Sequence, residues 1–174
     1  HRAGDRAGTH PPGAALKRAG SDSTWLPSTQ ETNVSRYPEL KDKVVIVTGG
    51  GSGMGRDACM ALAAEGARVV LGNRNRADGD AVAAAILAAG GSAVFHPTDV
   101  SRPADCAALV QHALDTFGRL DGAFNNAGLQ REFHDIHETP DADISDVIDI
   151  NLKGMMYMMK YEAAAMLKSG GGAI

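Results

Sequence analysis

Hydrophobic and polar positions change period in a regular way along this chain. Val44 to Val47 is a short run of β-branched apolar residues ended abruptly by glycines, which predicts a strand of a parallel sheet buried on both faces. Helical spacing follows, with Met54, Ala58, Ala61 and Leu62 on one face and Gly66 placed to end the helix. Arg68 to Leu71 predicts a second strand, and Val82, Ala85, Ile86 and Ala89 mark the apolar face of a second helix closed by Gly90-Gly91. Ala93 to Phe95 is a third strand. Ser101 is placed to cap the next helix, and Pro103 is tolerated in its first turn. Cys106, Leu109, Val110, Ala113 and Phe117 form that helix's stripe before Gly118 stops it. Leu120 to Phe124 is a fourth strand. Strands alternating with helices at this spacing predict an α/β fold of right-handed βαβ units around a parallel sheet covered on both faces.

The longest predicted helix runs from about Asp141 to Lys168, and Ile144, Val147, Ile148, Leu152, Met155 and Met159 fall on one apolar stripe. Asn151 lies on that stripe too. A buried amide without partners costs roughly 1 to 3 kcal/mol, so Asn151 is expected to be hydrogen-bonded, either structurally or at a site.

Composition narrows the class. A formal net charge of −4 argues against a nucleic-acid or polyanion-binding surface. No apolar run approaches the roughly 20 residues of a membrane helix, so no membrane partner is expected. Cys59 and Cys106 show no CxxC spacing and are read as reduced core thiols of a cytoplasmic protein. Residues 1–40 are rich in Gly, Ala, Pro and Arg with little apolar periodicity, so they are expected to form a disordered extension. Asp5, Asp22, Glu31 and the prolines spoil a faint likeness to a transit peptide, and Trp25 is expected to be exposed there. Residues 41–174 form the expected domain.

The glycines after the first strand carry the first chemical signal. A strand-to-helix turn of glycines lets backbone N–H groups approach a phosphate, and the helix N-terminus adds unpaired donors and a partial positive charge. The spacing is Thr48-Gly49-x-x-x-Gly53-x-Gly55, which is neither a P-loop nor G-x-G-x-x-G in any frame. Three more places fall where a doubly wound sheet holds dinucleotides, beyond the carboxyl ends of its strands. After the second strand, Asn73 stands where an acid would receive the ribose hydroxyls of NAD. Arg74 follows it, and a guanidinium fork suits the 2′-phosphate of NADP, so NADP is favoured over NAD. After the third strand come Asp99 and Val100, with Asp99 able to accept from an adenine amino group. After the fourth comes Asn125-Asn126-Ala127-Gly128, whose small residues admit a flat ligand while Asn125 or Asn126 ties neighbouring loops. Taken singly, each place also reads as ordinary turn chemistry.

Together, in this order and spacing, these motifs and Asn151 resemble the short-chain dehydrogenase/reductase family from about Leu40 to Ile174. The resemblance implies an NAD(P)-dependent oxidoreductase on a Rossmann-type doubly wound sheet, incomplete at its C-terminal side: four βα units and the start of a fifth strand. It also implies that Gly49, Ser52, Gly53, Met54 and Gly55 hold the pyrophosphate, Asp99 and Val100 the adenine, and Asn125, Ala127 and Gly128 the ribose side. Asn151 would be the family's catalytic asparagine. A small-molecule alcohol or ketone substrate and a homodimer or homotetramer complete that expectation, with the methionine-rich face including Met158 as interface.

The family pattern also requires a serine at the end of the fifth strand and then Tyr-x-x-x-Lys. Tyr157 and Lys160 are three apart, Tyr161 has Ala165 at the required spacing, and both tyrosines precede the fifth strand. They are read as helix-surface residues, and this chain alone is expected to have little activity. A non-catalytic nucleotide-binding or subunit-interaction module is the alternative. A methyltransferase is disfavoured because Thr48 stands where an acid is expected before the glycines. His134 and His137 form an HxxH without a further ligand cluster and are read as loop residues, with no metal expected.

Overall fold

A computed structural model describes residues 35–174. The expectations for residues 1–34, Trp25 included, lie outside the described residues. Four parallel strands lie in the order β3-β2-β1-β4. They are β1 (Val44–Thr48), β2 (Arg68–Asn73), β3 (Ser92–Pro97) and β4 (Gly122–Asn125). The central strand β1 sets Val45 opposite both Val69 and Gly122. All five of its residues are buried, as its unbroken β-branched run requires. Beyond β4, Ala173 makes a single parallel bridge to Gly122. Its N–H donates to the Asp121 carbonyl at 3.1 Å and its carbonyl accepts from Ala123 N–H at 2.9 Å. This bridge lies on the free edge of β4, the side on which a fifth strand would add.

Helices cover both faces. Val47, Val69 and Leu71 pack under α1 (Gly53–Ala64) and α2 (Arg76–Ala88) with Cys59, Val82 and Ile86. On the other face, Val44, Ile46 and Val70 meet Leu109 and Val110 of α3 (Pro103–Phe117) and Met158 and Met166 of the last helix. Each such aliphatic side chain contributes about 1.5 to 3 kcal/mol by leaving water, and together they fix the layers. Gly66, Gly90 and Gly118 take positive φ and end α1, α2 and α3 where the sequence places them. No helix among the described residues is long and apolar enough to cross a membrane.

Several local expectations change. In α1 the buried residues are Gly55, Cys59 and Ala63, while Met54 is 78% exposed. A Gly-Ala-Cys face fits closer to the sheet than a methionine-led one. Ser101 does not cap α3: Arg102 is its N-cap, and the Ser101 hydroxyl donates to Asp99 Oδ1 at 2.7 Å. Residues 35–40, expected within the extension, are ordered. Ser35 Oγ and Tyr37 N–H both donate to Glu65 Oε2, and Pro38–Leu40 forms a 3-10 turn.

The last helix differs most. It comprises α4 (Asp141–Val147), a π-helical segment (Ile148–Gly154) and α5 (Met155–Lys168), continuous in backbone conformation. Of the expected stripe, Ile144, Ile148, Leu152, Met155 and Met159 lie 42 to 52% exposed and Val147 is half-buried. Gly154, Met158, Glu162, Ala165 and Met166 face the core instead. The wider π turn shifts the phase of the helix, and β4 and α3 accept the narrower, glycine-led face.

Candidate functional site

The carboxyl ends of the strands open on a cleft of about 710 Å³, within the range of small-molecule sites. Of the residues read from the sequence, Gly49, Ser52, Met54, Asn73, Arg74, Asp99, Val100, Ala127, Gly128 and Asn151 line it. Gly53, Gly55 and Asn125 do not.

The β1–α1 turn is built by missing side chains. A Cβ on Gly55 would lie 2.1 Å from the Gly49 carbonyl oxygen, so only glycine lets α1 start this close to the end of β1. Gly53, at φ +50°, has open space around it and turns the chain into the helix. Ser52 is the N-cap of α1, yet its hydroxyl makes no cap bond, which leaves it and the first helical N–H groups available to an anion.

The β4 loop is built by amide side chains. Asn126 Nδ2 donates to the carbonyls of Thr48 at 3.2 Å and Gly49 at 3.4 Å, and Ala127 N–H donates to Thr48 Oγ1 at 3.0 Å. Leu129 is gripped twice by Asn151: its N–H donates to Oδ1 at 2.7 Å, and its carbonyl accepts from Nδ2 at 2.8 Å. Asn151 is exposed and satisfied rather than buried, and it sits inside the π-helical segment. Asn125 turns the other way and donates to Glu162 Oε2 at 2.7 Å. Of the two asparagines, Asn126 is the one that ties the loops.

The remaining residues sit on β-strand ends. Asn73 Nδ2 donates to the Asn75 carbonyl, and Asn75 Oδ1 caps α2 by accepting from Ala77 and Asp78 N–H. Arg74 is exposed and forms no salt bridge among the described residues, so its guanidinium is free. Asp99 Oδ1 accepts from both the N–H and the hydroxyl of Ser101, while its own N–H donates to Asp105 Oδ2. Here the turn role and the cleft position coexist. The sequence reading missed Thr98, Asn126, Leu129, Gln130 and Ile150 as cleft residues. Thr98 directly precedes Asp99-Val100 and Asn126 stands within Asn125-Asn126-Ala127-Gly128, so both carried a signal. The other three carry none apart from the fold.

Tyr157, Lys160 and Tyr161 are not among the cleft residues; both tyrosines pack against the core. His134 and His137 are exposed in the loop, and no group of three or more His, Cys, Asp or Glu gathers among the described residues. Both cysteines are free and buried, and burial pushes the Cys59 thiol up to about 12. Burial likewise pushes Glu162 up to about 7, against the lowering effect of its bond from Asn125.

A sequence model of the short chain dehydrogenase family matches residues 43–174. The chain belongs to the short-chain dehydrogenase family. The chain is 39% identical over 136 residues to a cyclohexanol dehydrogenase of Acinetobacter sp. (strain SE19), covering 78% of this chain and 54% of that protein. It is 40% identical over 132 residues to a 2,5-dichloro-2,5-cyclohexadiene-1,4-diol dehydrogenase of Sphingobium indicum, covering 76% and 52%. It thus spans about half the length of the curated relatives it matches. Among solved structures it resembles a metagenomic short-chain oxidoreductase in complex with NADP, at a TM-score of 0.72 and 34% identity, covering 76% of this chain and 61% of that one.

Proposed function

We propose that this chain forms the coenzyme-binding part of a dehydrogenase that interconverts an alcohol and a carbonyl by hydride transfer with NADP or NAD. The observation that carries the reading is the cleft itself. It gathers residues from four separate sequence motifs, and a nicotinamide dinucleotide suits all of them. The bare β1–α1 turn and the free Ser52 hydroxyl suit a pyrophosphate. Arg74, unpaired among the described residues, suits a 2′-phosphate, which favours NADP. Asp99 and Val100 would border the adenine, and Ala127 and Gly128 the ribose side. The coenzyme supplies the hydride chemistry; these residues supply binding and orientation.

Asn151 is the site's candidate catalytic asparagine. Its amide holds the Leu129 backbone at the cleft rim, and its π-helical setting is a frequent mark of functional positions. The names of two relatives specify a cyclohexanol and a cyclohexadiene diol, so ring-bearing secondary alcohols are the first substrates to assay. The half-exposed Leu152, Met155, Met156 and Met159 support self-association through this helix as a dimer or tetramer. Met158 does not belong to that surface, being 1% exposed in the core. Fluorescence titration of the full-length protein with NADPH and NADH tests the reading. Saturable binding of at least one is expected, with NADPH the tighter; no binding of either overturns it.

A further inference from the structure

Glu162 is the only fully buried carboxyl side chain among the described residues, 0% exposed on the core face of α5 with Met158, Ala165 and Met166. Among the described residues it forms no salt bridge, and no basic side chain offsets its burial. Its one polar partner is Asn125, whose Nδ2 donates to Oε2 at 2.7 Å. The same two side chains each keep one buried atom without a partner, Glu162 Oε1 and Asn125 Oδ1. With Glu162 ionised both are acceptors, whereas an uncharged acid has one donor to offer. The gap beside Asn125, bounded by Thr48, Val100, Ala127 and Met158, has no room for a water molecule to supply it.

We propose that Glu162 and Asn125 form a neutral acid–amide pair that positions the coenzyme loop, the carboxyl proton on Oε1 being the donor that the two orphaned oxygens lack. Its functional half rests on the coenzyme reading above. The chain of contacts is short. Asn125 ends β4, and the next residues are Asn126, which holds the Thr48 and Gly49 carbonyls, and Ala127, which borders the cleft. Glu162 therefore sets the direction in which the strand enters the loop, and it is a positioning residue rather than a catalytic one. Ionisation would leave a buried negative charge with a single donor, and the pair would have to open.

Burial pushes this carboxyl up to about 7, so the neutral form is favoured on the acid side of neutrality. The titratable group facing it from α3 is Cys106, whose thiol burial pushes up to about 11, so it stays neutral throughout the relevant range. From β4 it meets Asn125, and on α5 the neighbouring Lys160 lies 5.1 Å over the Tyr161 ring.

The test compares full-length wild type with E162Q and E162L from about pH 5.5 to about 8.5, a range that brackets the titration. Glutamine reproduces the neutral acid, offering one donor and one acceptor to Asn125. Wild type is expected to lose NADPH affinity as pH rises through neutrality. E162Q should keep the acid-side affinity after the coenzyme's own titration is subtracted. E162L should bind about tenfold more weakly than E162Q at every pH, the loss of roughly one net hydrogen bond. A protonated-carboxyl stretch in the infrared, present in wild type near pH 6 and absent in E162Q, should accompany this. An E162Q variant with the wild-type pH slope, or a spectrum in which E162Q removes no such band, overturns the pair. If the band behaves as expected but wild type binds neither coenzyme at any pH, the pair stands and the coenzyme reading falls.

Discussion

The two loops that frame the cleft solve the same problem in opposite ways. After β1 the chain turns on glycines, and the backbone is held close by the absence of side chains: a Cβ at Gly55 would strike the Gly49 carbonyl. After β4 it is held by side chains that stand in for backbone partners, with Thr48, Asn126 and Asn151 taking up carbonyls and N–H groups that no strand or helix satisfies. The first loop is rigid because nothing else fits. The second is rigid only while its partners stay neutral, in place and correctly oriented. The glycine loop should therefore fail by steric conflict at any pH, and the amide loop should fail by loss of single bonds and respond to conditions.

The largest effect is expected at the junction of the two. Gly55→Val drives a side chain into the Gly49 carbonyl and the Asn126 amide, 2.6 Å from the added Cβ. It should cost about 3 kcal/mol or more, since the obstacle is backbone, and abolish coenzyme binding. Thermal melting and a NADPH titration read both; a melting temperature near wild type would break the comparison.

The sign reverses at Glu162. Its folded pKa of about 7 lies above the ordinary 4.5, so the unfolded chain ionises first and the protein loses stability as pH climbs between those values. E162Q lacks that penalty. Relative to wild type it should gain up to roughly 3 kcal/mol by pH 8 and little near pH 4.5, as read by denaturant unfolding at each pH. A pH-independent difference would remove ionisation from the explanation.

Asn126→Ala should cost about 1 to 2 kcal/mol and weaken coenzyme binding, because the Thr48 and Gly49 carbonyls lose their donor. Asp121 holds the opposite end of β1 and β4, accepting from Val44 N–H at 3.0 Å and from Arg119. Burial alone would raise its pKa, but those bonds, with Lys43 nearby, hold it below the ordinary carboxylate range. Its contribution is present near neutrality and fades as pH falls through the depressed value. Asp121→Asn should therefore cost about 1 kcal/mol at pH 7 and progressively less in acid.

The smallest stability effect belongs to Arg74→Glu, which removes an exposed side chain that forms no salt bridge among the described residues. Stability should stay within about 0.5 kcal/mol. The preference for NADPH over NADH should nevertheless fall by roughly tenfold or more, since a charge-assisted bond to phosphate is replaced by repulsion. Equal coenzyme preference before and after would detach Arg74 from the 2′-phosphate.

Local signals settled much of this molecule in advance. The unbroken Val44–Val47 run fixed a buried central strand, the glycines fixed the turn and the helix ends, and the motif residues lie at strand ends because a parallel sheet puts every strand's carboxyl end on one side. The last helix was decided only in three dimensions. It carries two apolar faces, and the larger one, Ile144 to Met159, is the face left uncovered. Nothing in the sequence reading marked Glu162, between Met158 and Met166, as a core residue. Its partner is 37 residues away on β4, and its protonation depends on what the fold removes from water. Periodicity specifies which residues share a side of an element. Which side the sheet covers, and which of two adjacent asparagines turns toward the cleft, depends on long-range packing that no spacing rule encodes.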